Sequence, residues 1–349
     1  MPTELVLLGP RRVGFRDYEE RPLRAGEVRL KSLLSGISHG TEMSHYRGTA
    51  PFYRKRWDPQ LRMFVEGGGV TAYPTTSGYE NVSVVIERGG GVKAIKVGDR
   101  VWAARPHRET NIAAEDDLRS GRLALLPDEV SDEEGVFTSL ARTALNAVHD
   151  ARVKVGDNVA VFGLGAIGLM AVQLAMLSGA RKVFAVDLIE RRLKKADGYG
   201  AVALDARGVD APAEIKRGTG GKGVDAAIEA SGSYRGLHEA IRCCHASGRV
   251  VAVGFYQGGG SDLYLGEEWH HNRITMLSSM SFWDCPHRDY PMWGPERLIA
   301  TVMELFGEKR LLVADLITHK IPFKEAQRAY ELVDRRAEEA IKVALTYPR

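Results

Sequence analysis

The sequence predicts an α/β fold of two domains: an irregular β domain, then a doubly wound parallel sheet, with the closing segment returning to the first. Three observations predict it. The chain has 349 residues, beyond the roughly 250–300 at which a single hydrophobic core stops growing. From about residue 135 short alternating runs give way to helices alternating with buried strands, the pattern of a parallel sheet with crossover helices. Where that pattern begins, an apolar run meets a glycine-punctuated turn and then a helical run, Asn158 to Leu177.

Composition is compatible with this reading. With 44% hydrophobic and 27% charged residues the chain has enough apolar material for a core, which excludes disorder. A net charge of +3 argues against a nucleic-acid partner. Three cysteines, Cys243, Cys244 and Cys285, supply neither a disulfide framework nor a four-cysteine zinc lobe, so a reducing, cytoplasmic setting is expected. From the residues at the ends no signal peptide or lipidation is expected. Val159 to Ala180 is 22 residues without a charge, long enough for a membrane span, yet its glycines divide it into a strand, a turn and a buried helix, and no membrane partner is expected.

In order, the first domain offers alternating runs at 26–38, 81–104 and 122–130, read as strands. The stretch 47–69 mixes aromatic, basic and glycine residues without a period, an excursion of the kind that accompanies a site. It leads into a loop-like 70–78. Strands of the second domain are expected at 158–162, 182–187, 223–231, 249–255 and 274–280, with helices at 169–177, 190–200 and 234–246. The last portion, from Ile317, reads as a strand, an amphipathic helix and a closing strand. It has no place in the sheet series and returns to the first domain.

The turn Gly163-Leu164-Gly165-Ala166-Ile167-Gly168 follows a strand, opens a helix, and has Asp187 at the end of the next strand, 19 residues after Gly168. Gly163 permits the tight turn, Gly165 lets the backbone approach a pyrophosphate, and Gly168 lets the helix pack on the sheet. The helix N-terminus then faces the phosphates. This predicts a dinucleotide site. A carboxylate at Asp187 accepts from the adenosine ribose and repels a 2′-phosphate, favouring NAD over NADP, although Arg191 and Arg192 could partly neutralise such a phosphate.

These parts together resemble the medium-chain dehydrogenase/reductase superfamily. The matching pieces are 26–42, 78–101, 155–187, 223–233, 248–254 and the terminal Ile341 to Tyr347. The resemblance implies a GroES-like catalytic domain, residues 1–139 completed by 283–349, around a Rossmann domain at 140–282, and hydride transfer at a nicotinamide. By family position it also implies that Thr143, Arg192, Ser231, Gly254 and Lys342 lie along the cofactor.

Zinc enzymes of the superfamily carry Cys, His and a Cys or Glu where this chain has Ser38, Tyr79 and Thr138, and the structural zinc lobe is absent, with Pro106 to Glu109 leading into a polar, helix-like stretch. Hydroxyls are poor zinc ligands at neutral pH, so no zinc is expected. A rebuilt metal site from His39, Glu42, His45 and His107 is the competing idea, since the first three are spaced to share a helix face. His270 and His271, adjacent in a strand, would point to opposite faces. The blocks around Ser38 and Tyr79 look most like the zinc-lacking branch that includes bacteriochlorophyllide hydroxyethyl dehydrogenases.

Alcohol oxidation requires a proton acceptor and a group that stabilises the developing alkoxide. Tyr79 and Ser38 stand where zinc would act, and His39 could relay the proton, tuned by Glu42 or Glu80. Tyr79 could equally be a packing aromatic and His39 a pyrophosphate contact. Aromatic and basic residues at Tyr46, Arg54, Trp57, Tyr73, Trp269, Trp283, His287 and Trp293 suit a polyhydroxylated or anionic small molecule. The expected activity is oxidation of a secondary alcohol of a sugar or polyol by a homodimer or homotetramer, with NADPH-dependent enone or quinone reduction and a silent dinucleotide binder as alternatives.

Overall fold

The structure is a computed structural model that describes residues 1–69, 72–280 and 289–348. The chain divides into two compact units, Met1–Ser139 with Val313–Arg349, and Leu140–Leu312.

The second unit is built on six parallel strands: β1 Asn158–Phe162, β2 Lys182–Asp187, β3 Val202–Asp205, β4 Val224–Glu229, β5 Cys244–Ala252 and β6 Thr275–Ser278. Their spatial order is 3-2-1-4-5-6, the doubly wound arrangement with a topological switch point between β1 and β4. Strands β1, β2 and β4 are buried along almost their whole length, as expected where helices cover both faces. The 22-residue uncharged run is β1, the glycine turn and the helix Ala166–Leu177. Among the described residues no helix is long and apolar enough to cross a membrane.

Three features of this unit differ from expectation. Strand β3 and the helix Ala211–Gly218 form a further crossover: β3 is a four-residue edge strand without the apolar run that marks its neighbours. His270 and His271 lie in the helical turn Glu268–His271, not in a strand, with ring centroids 5.5 Å apart. The helix Pro295–Gly307 also belongs here, so the return to the first unit begins at Val313 and not at 283. The Gln173 amide explains the later crossing: it donates to the Leu312 carbonyl at 3.0 Å and accepts from its N–H at 2.8 Å, tying that segment to the glycine-turn helix.

The first unit holds a seven-stranded mixed sheet centred on the strand Glu27–Ile37. On one side this strand pairs antiparallel with Asn81–Arg88, on the other with the closing strand Lys342–Thr346. The closing strand in turn pairs parallel with Ile317–Pro322. The returning segment thus completes the sheet, and its helix Ala326–Arg335 contributes Ala329, Tyr330 and Val333 to a core with Leu5, Ile37, Met43 and Tyr46. The stretch after Glu109 begins as the strand Thr110–Ala114, with Asn111 and Ala113 turned inward, and only its polar part, Glu115–Leu118, is helical, as a 3₁₀ turn. The excursion at 47–69 contains a 3₁₀ turn, Pro51–Tyr53, and a two-stranded hairpin, Lys55–Asp58 with Met63–Glu66.

Candidate functional site

In the first unit, the strand Glu27–Ile37 ends by delivering Ser38 and His39 to the start of the helix Thr41–Arg47, which carries Glu42. The segment Ser77 to Glu80 enters the strand Asn81–Arg88 beside them. Gly78 has φ +104°, and a Cβ there would lie 2.7 Å from the His107 ring, so a side chain is excluded twice over. The Tyr79 hydroxyl donates to Ser38 Oγ at 2.6 Å. Burial, and then the neighbouring Glu80, push the Tyr79 phenol well above its ordinary value.

Glu80 and Lys342 form a wholly buried ion pair, with side chains 0% and 1% exposed, and the ammonium also donates to the Ile37 carbonyl at 2.9 Å. Gly36 makes room for the pair: a Cβ there would lie 2.5 Å from Glu80 Oε2 and 2.7 Å from Lys342 Cε. Burial raises the Glu80 carboxyl to about 7, against the opposing pull of Lys342. Lys342, expected along the cofactor, thus has its ammonium engaged inside its own unit.

Glu42 is the hub of a second buried network. Its Oε1 accepts from the Tyr330 hydroxyl and lies 2.8 Å from His107 Nε2. His107 Nδ1 is 2.7 Å from Ser35 Oγ, which meets the Tyr347 hydroxyl at 2.9 Å. Burial opposes ionisation of Glu42, yet His107 beside it and the Tyr330 hydroxyl hold its carboxyl below the ordinary value. The Tyr330 hydroxyl also lies 3.2 Å from Ser77 Oγ. Tyr330, Ser77, Ser35 and Tyr347 carry no sequence signal for this role. His45 does not join Glu42: its ring packs against Phe52 and Tyr53, with centroids 6.4 and 5.6 Å away. Among the described residues the metal-competent donors that converge are instead His238, Glu267 and Glu268.

In the second unit the glycine turn is a cradle. Gly163 has φ +85°, and a Cβ on Gly168 would lie 1.9 Å from the Gly163 carbonyl oxygen. Gly165 faces open space at the N-terminus of its helix, whose first residues are Ala166 and Ile167. Asp187 accepts from the N–H groups of Leu164, Leu188 and Ile189 at 2.6 to 2.9 Å, and Arg192 Nη1 lies 3.8 Å from its Oδ2. Ser231 abuts Gly163, and Gly254 abuts Gly232. Thr143 lies half-buried on the helix Thr138–Asp150.

Comparison with known proteins decides the family. Over 351 aligned residues, 99% of either chain, the protein is 33% identical to D-guloside 3-dehydrogenase of Escherichia coli. The chain belongs to the medium-chain dehydrogenase/reductase superfamily. A sequence model described as "Zinc-binding dehydrogenase" matches residues 166–291. The (R,R)-butanediol dehydrogenase of Bacillus subtilis is 31% identical, over 88% of this chain and 89% of its own. The crystal structure of 2R,3R-butanediol dehydrogenase from that organism superposes with a TM-score of 0.80 over all of both chains at 24% identity. The fold is thus the GroES-like plus Rossmann pairing, and the protein is an alcohol or polyol dehydrogenase-like oxidoreductase.

As a medium-chain dehydrogenase the chain fits a dinucleotide: the space before Gly165 is open, and any larger residue at Gly168 would close the turn. Zinc does not fit the donor set. Tyr79 is held protonated and donates to Ser38, and Thr138 is buried with its hydroxyl given to the Gly135 carbonyl at 2.7 Å. Of the aromatic residues considered for substrate, Tyr46 is a core residue, 1% exposed and packed on Tyr330. Trp269 packs on the second unit's core, and Trp293 between His149 and Arg297. Trp57 lies in the excursion and meets Phe64, Tyr73 of the following loop stacks on Tyr53 of the excursion, and Arg54 is exposed. Trp283, His287 and Cys285 lie outside the described residues.

Proposed function

We propose that the protein is an NAD-dependent dehydrogenase that interconverts a secondary alcohol of a sugar or polyol and its ketone without catalytic zinc. The observation that carries this reading is the hydrogen bond from Tyr79 to Ser38, two hydroxyls at positions where zinc relatives carry metal ligands. The names of the guloside and butanediol dehydrogenases support the substrate class. When bound, the dinucleotide supplies the hydride acceptor.

The remaining chemistry falls to the chain. Ser38 and Tyr79 orient the substrate oxygen and stabilise the alkoxide as it forms. His39, half-buried beside Ser38, takes the hydroxyl proton. Glu80, raised to about 7, is a further proton acceptor adjoining Tyr79. Gly163, Gly165, Ala166, Ile167 and Gly168 cradle the pyrophosphate. Asp187, with Arg192, faces the adenosine ribose, and its carboxylate favours NAD. Strand β6 ends the parallel sheet, which supports a homodimer or homotetramer joined along that edge. The free thiols of Cys243 and Cys244 accord with a cytoplasmic setting.

The test is a screen of metal-free protein, verified by elemental analysis, with NAD and NADP against polyols and sugar glycosides, following reduced-nicotinamide absorbance. Turnover of a polyol or glycoside with NAD is expected. Activity lost on chelation and restored by zinc would sink the zinc-free mechanism, and preference for NADP would overturn the role given to Asp187. Reduction of enones or quinones alone, or cofactor binding without any turnover, would favour the reductase or silent-binder alternatives.

A further inference from the structure

Glu229, the last residue of β4, is fully buried in the second unit. Its carboxylate accepts from two turns at once. From the turn after β4 come the Ser231 N–H at 2.8 Å, the Ser231 hydroxyl and the Gly232 N–H at 3.2 Å. From the turn after β5 comes the Tyr256 hydroxyl. The Glu229 main-chain carbonyl adds the N–H groups of Val253 and Gly254, at 2.8 and 3.1 Å.

The two turns are locked to each other and to the glycine turn. A Cβ on Gly254 would lie 2.3 Å from Gly232 Cα, and one on Gly163 would lie 2.5 Å from the Ser231 nitrogen. The Ala230 N–H donates to the Phe162 carbonyl at 2.8 Å. Three turns at the carboxyl ends of β1, β4 and β5 thus form one wall, and Glu229 is the side chain bonded to two of them. A buried carboxylate is costly unless its acceptors are filled, and burial does raise this one. Four donors offset that cost, all of them from these turns.

In an open parallel sheet ligands bind at the carboxyl ends of the strands, with one nucleotide half over each side of the switch point. Asp187, at the end of β2, marks the adenosine side. The wall held by Glu229 lies on the other. We propose that Glu229 is a positioning residue for the nicotinamide half of the dinucleotide, holding the turns 230–233 and 253–256 as one surface against the glycine turn. This rests on the dinucleotide reading above.

Two ligands separate the halves: NADH, titrated by its fluorescence, and ADP-ribose, titrated calorimetrically, which lacks the nicotinamide. In Glu229→Ala and in Tyr256→Phe, NADH affinity should fall by about tenfold or more while ADP-ribose affinity stays within about twofold. Glu229→Gln keeps an acceptor for Ser231 but presents an amide to Tyr256, and should fall between wild type and Glu229→Ala. Tyr256→Phe removes a single hydroxyl from a half-buried ring, so it reports even where Glu229→Ala fails to fold. Equal losses for both ligands in Tyr256→Phe and Glu229→Gln would reduce Glu229 to a general structural role and overturn the proposal. So would unchanged NADH affinity in those two variants. A wild-type protein that binds neither ligand would sink the dinucleotide reading, and the proposal with it.

Discussion

Replacing Lys342 by Met tests the buried pair with Glu80 directly. Methionine keeps an unbranched chain of similar length beside Gly36 and removes the ammonium, with its charge and its donors. The carboxyl of Glu80 has a free value of 4.5 and is raised to about 7 in the fold, with burial raising it and Lys342 pulling it down. A carboxyl raised on folding contributes stability that is complete below its free value and is lost as pH rises through the folded value. In the wild type that loss therefore ends near pH 7, where Lys342 lets Glu80 ionise. In Lys342→Met nothing compensates the ion, so Glu80 keeps its proton and stability continues to fall by about 1.4 kcal/mol per pH unit. Between pH 7 and about pH 8.5 the gap to wild type should widen by about 2 kcal/mol. Below pH 7 both proteins hold Glu80 protonated, and the remaining difference, about 1 kcal/mol, reflects the Ile37 carbonyl losing its donor. Urea unfolding followed by circular dichroism at about pH 6, 7 and 8.5 measures the gap. The double variant Glu80→Gln/Lys342→Met should show no such pH trend. A gap for Lys342→Met that stays flat above pH 7 would refute the coupling.

Three further outcomes are expected. Tyr79→Phe should lower kcat by about a hundredfold with NADH affinity unchanged, and unaltered turnover on the substrate found by screening would remove Tyr79 from the chemistry. Gly168→Ala drives a methyl onto the Gly163 carbonyl oxygen, so it should abolish measurable NADH binding or destabilise the second unit by about 1–3 kcal/mol, and normal NADH titration at unchanged stability would contradict the cradle geometry. Glu42→Gln leaves His107 and Tyr330 facing an amide in place of a carboxylate. Since the carboxyl of Glu42 is held below its ordinary value, its contribution is present at neutral pH and lost in acid. The deficit of the variant in urea should therefore shrink toward pH 3, and a constant deficit would remove the ionised Glu42 from the account.

How legible these sites were depends on how local their physics is. Strands β1 and β2 are buried on both faces and read as unbroken apolar runs, so they stood out at once. Strand β3 is half-exposed and four residues long, and the helix after it is signalled only at its start, by Pro212 and the cap Asp210. The glycine turn was legible because each glycine answers a backbone constraint within six residues. The network around Glu42 was not. Its bonds to His107 and Tyr330 span 65 and 288 residues, and no periodicity reports contacts that only the closed sheet creates. The excursion reads as irregular in sequence because Leu61, Met63 and Phe64 of its hairpin are exposed and blur the alternation that marks a strand. Only family position points to Lys342, and a lysine on a closing strand carries no sign that a carboxylate is buried opposite.

Glu42 and Glu80, two buried carboxylates near the hydroxyls at 38 and 79, bear on what those hydroxyls accomplish. Burying Glu42 and Glu80 together is unfavourable unless each finds a partner: burial opposes the charge of each, and Glu42 further raises the proton affinity of Glu80. A dication between them would be one solution. This chain has another, built from its own side chains: Lys342 against Glu80, and His107 with Tyr330 against Glu42. The Ser38 N–H, 3.4 Å from Glu42 Oε2, and the Ser38 hydroxyl, which accepts from Tyr79, link that balanced interior to the proposed reacting groups. A thiolate in place of the Ser38 hydroxyl would add a third negative group beside Glu42 and Glu80. Electrostatic balance, beside the exchange of individual ligands, is therefore the second support for the proposed zinc-free reading.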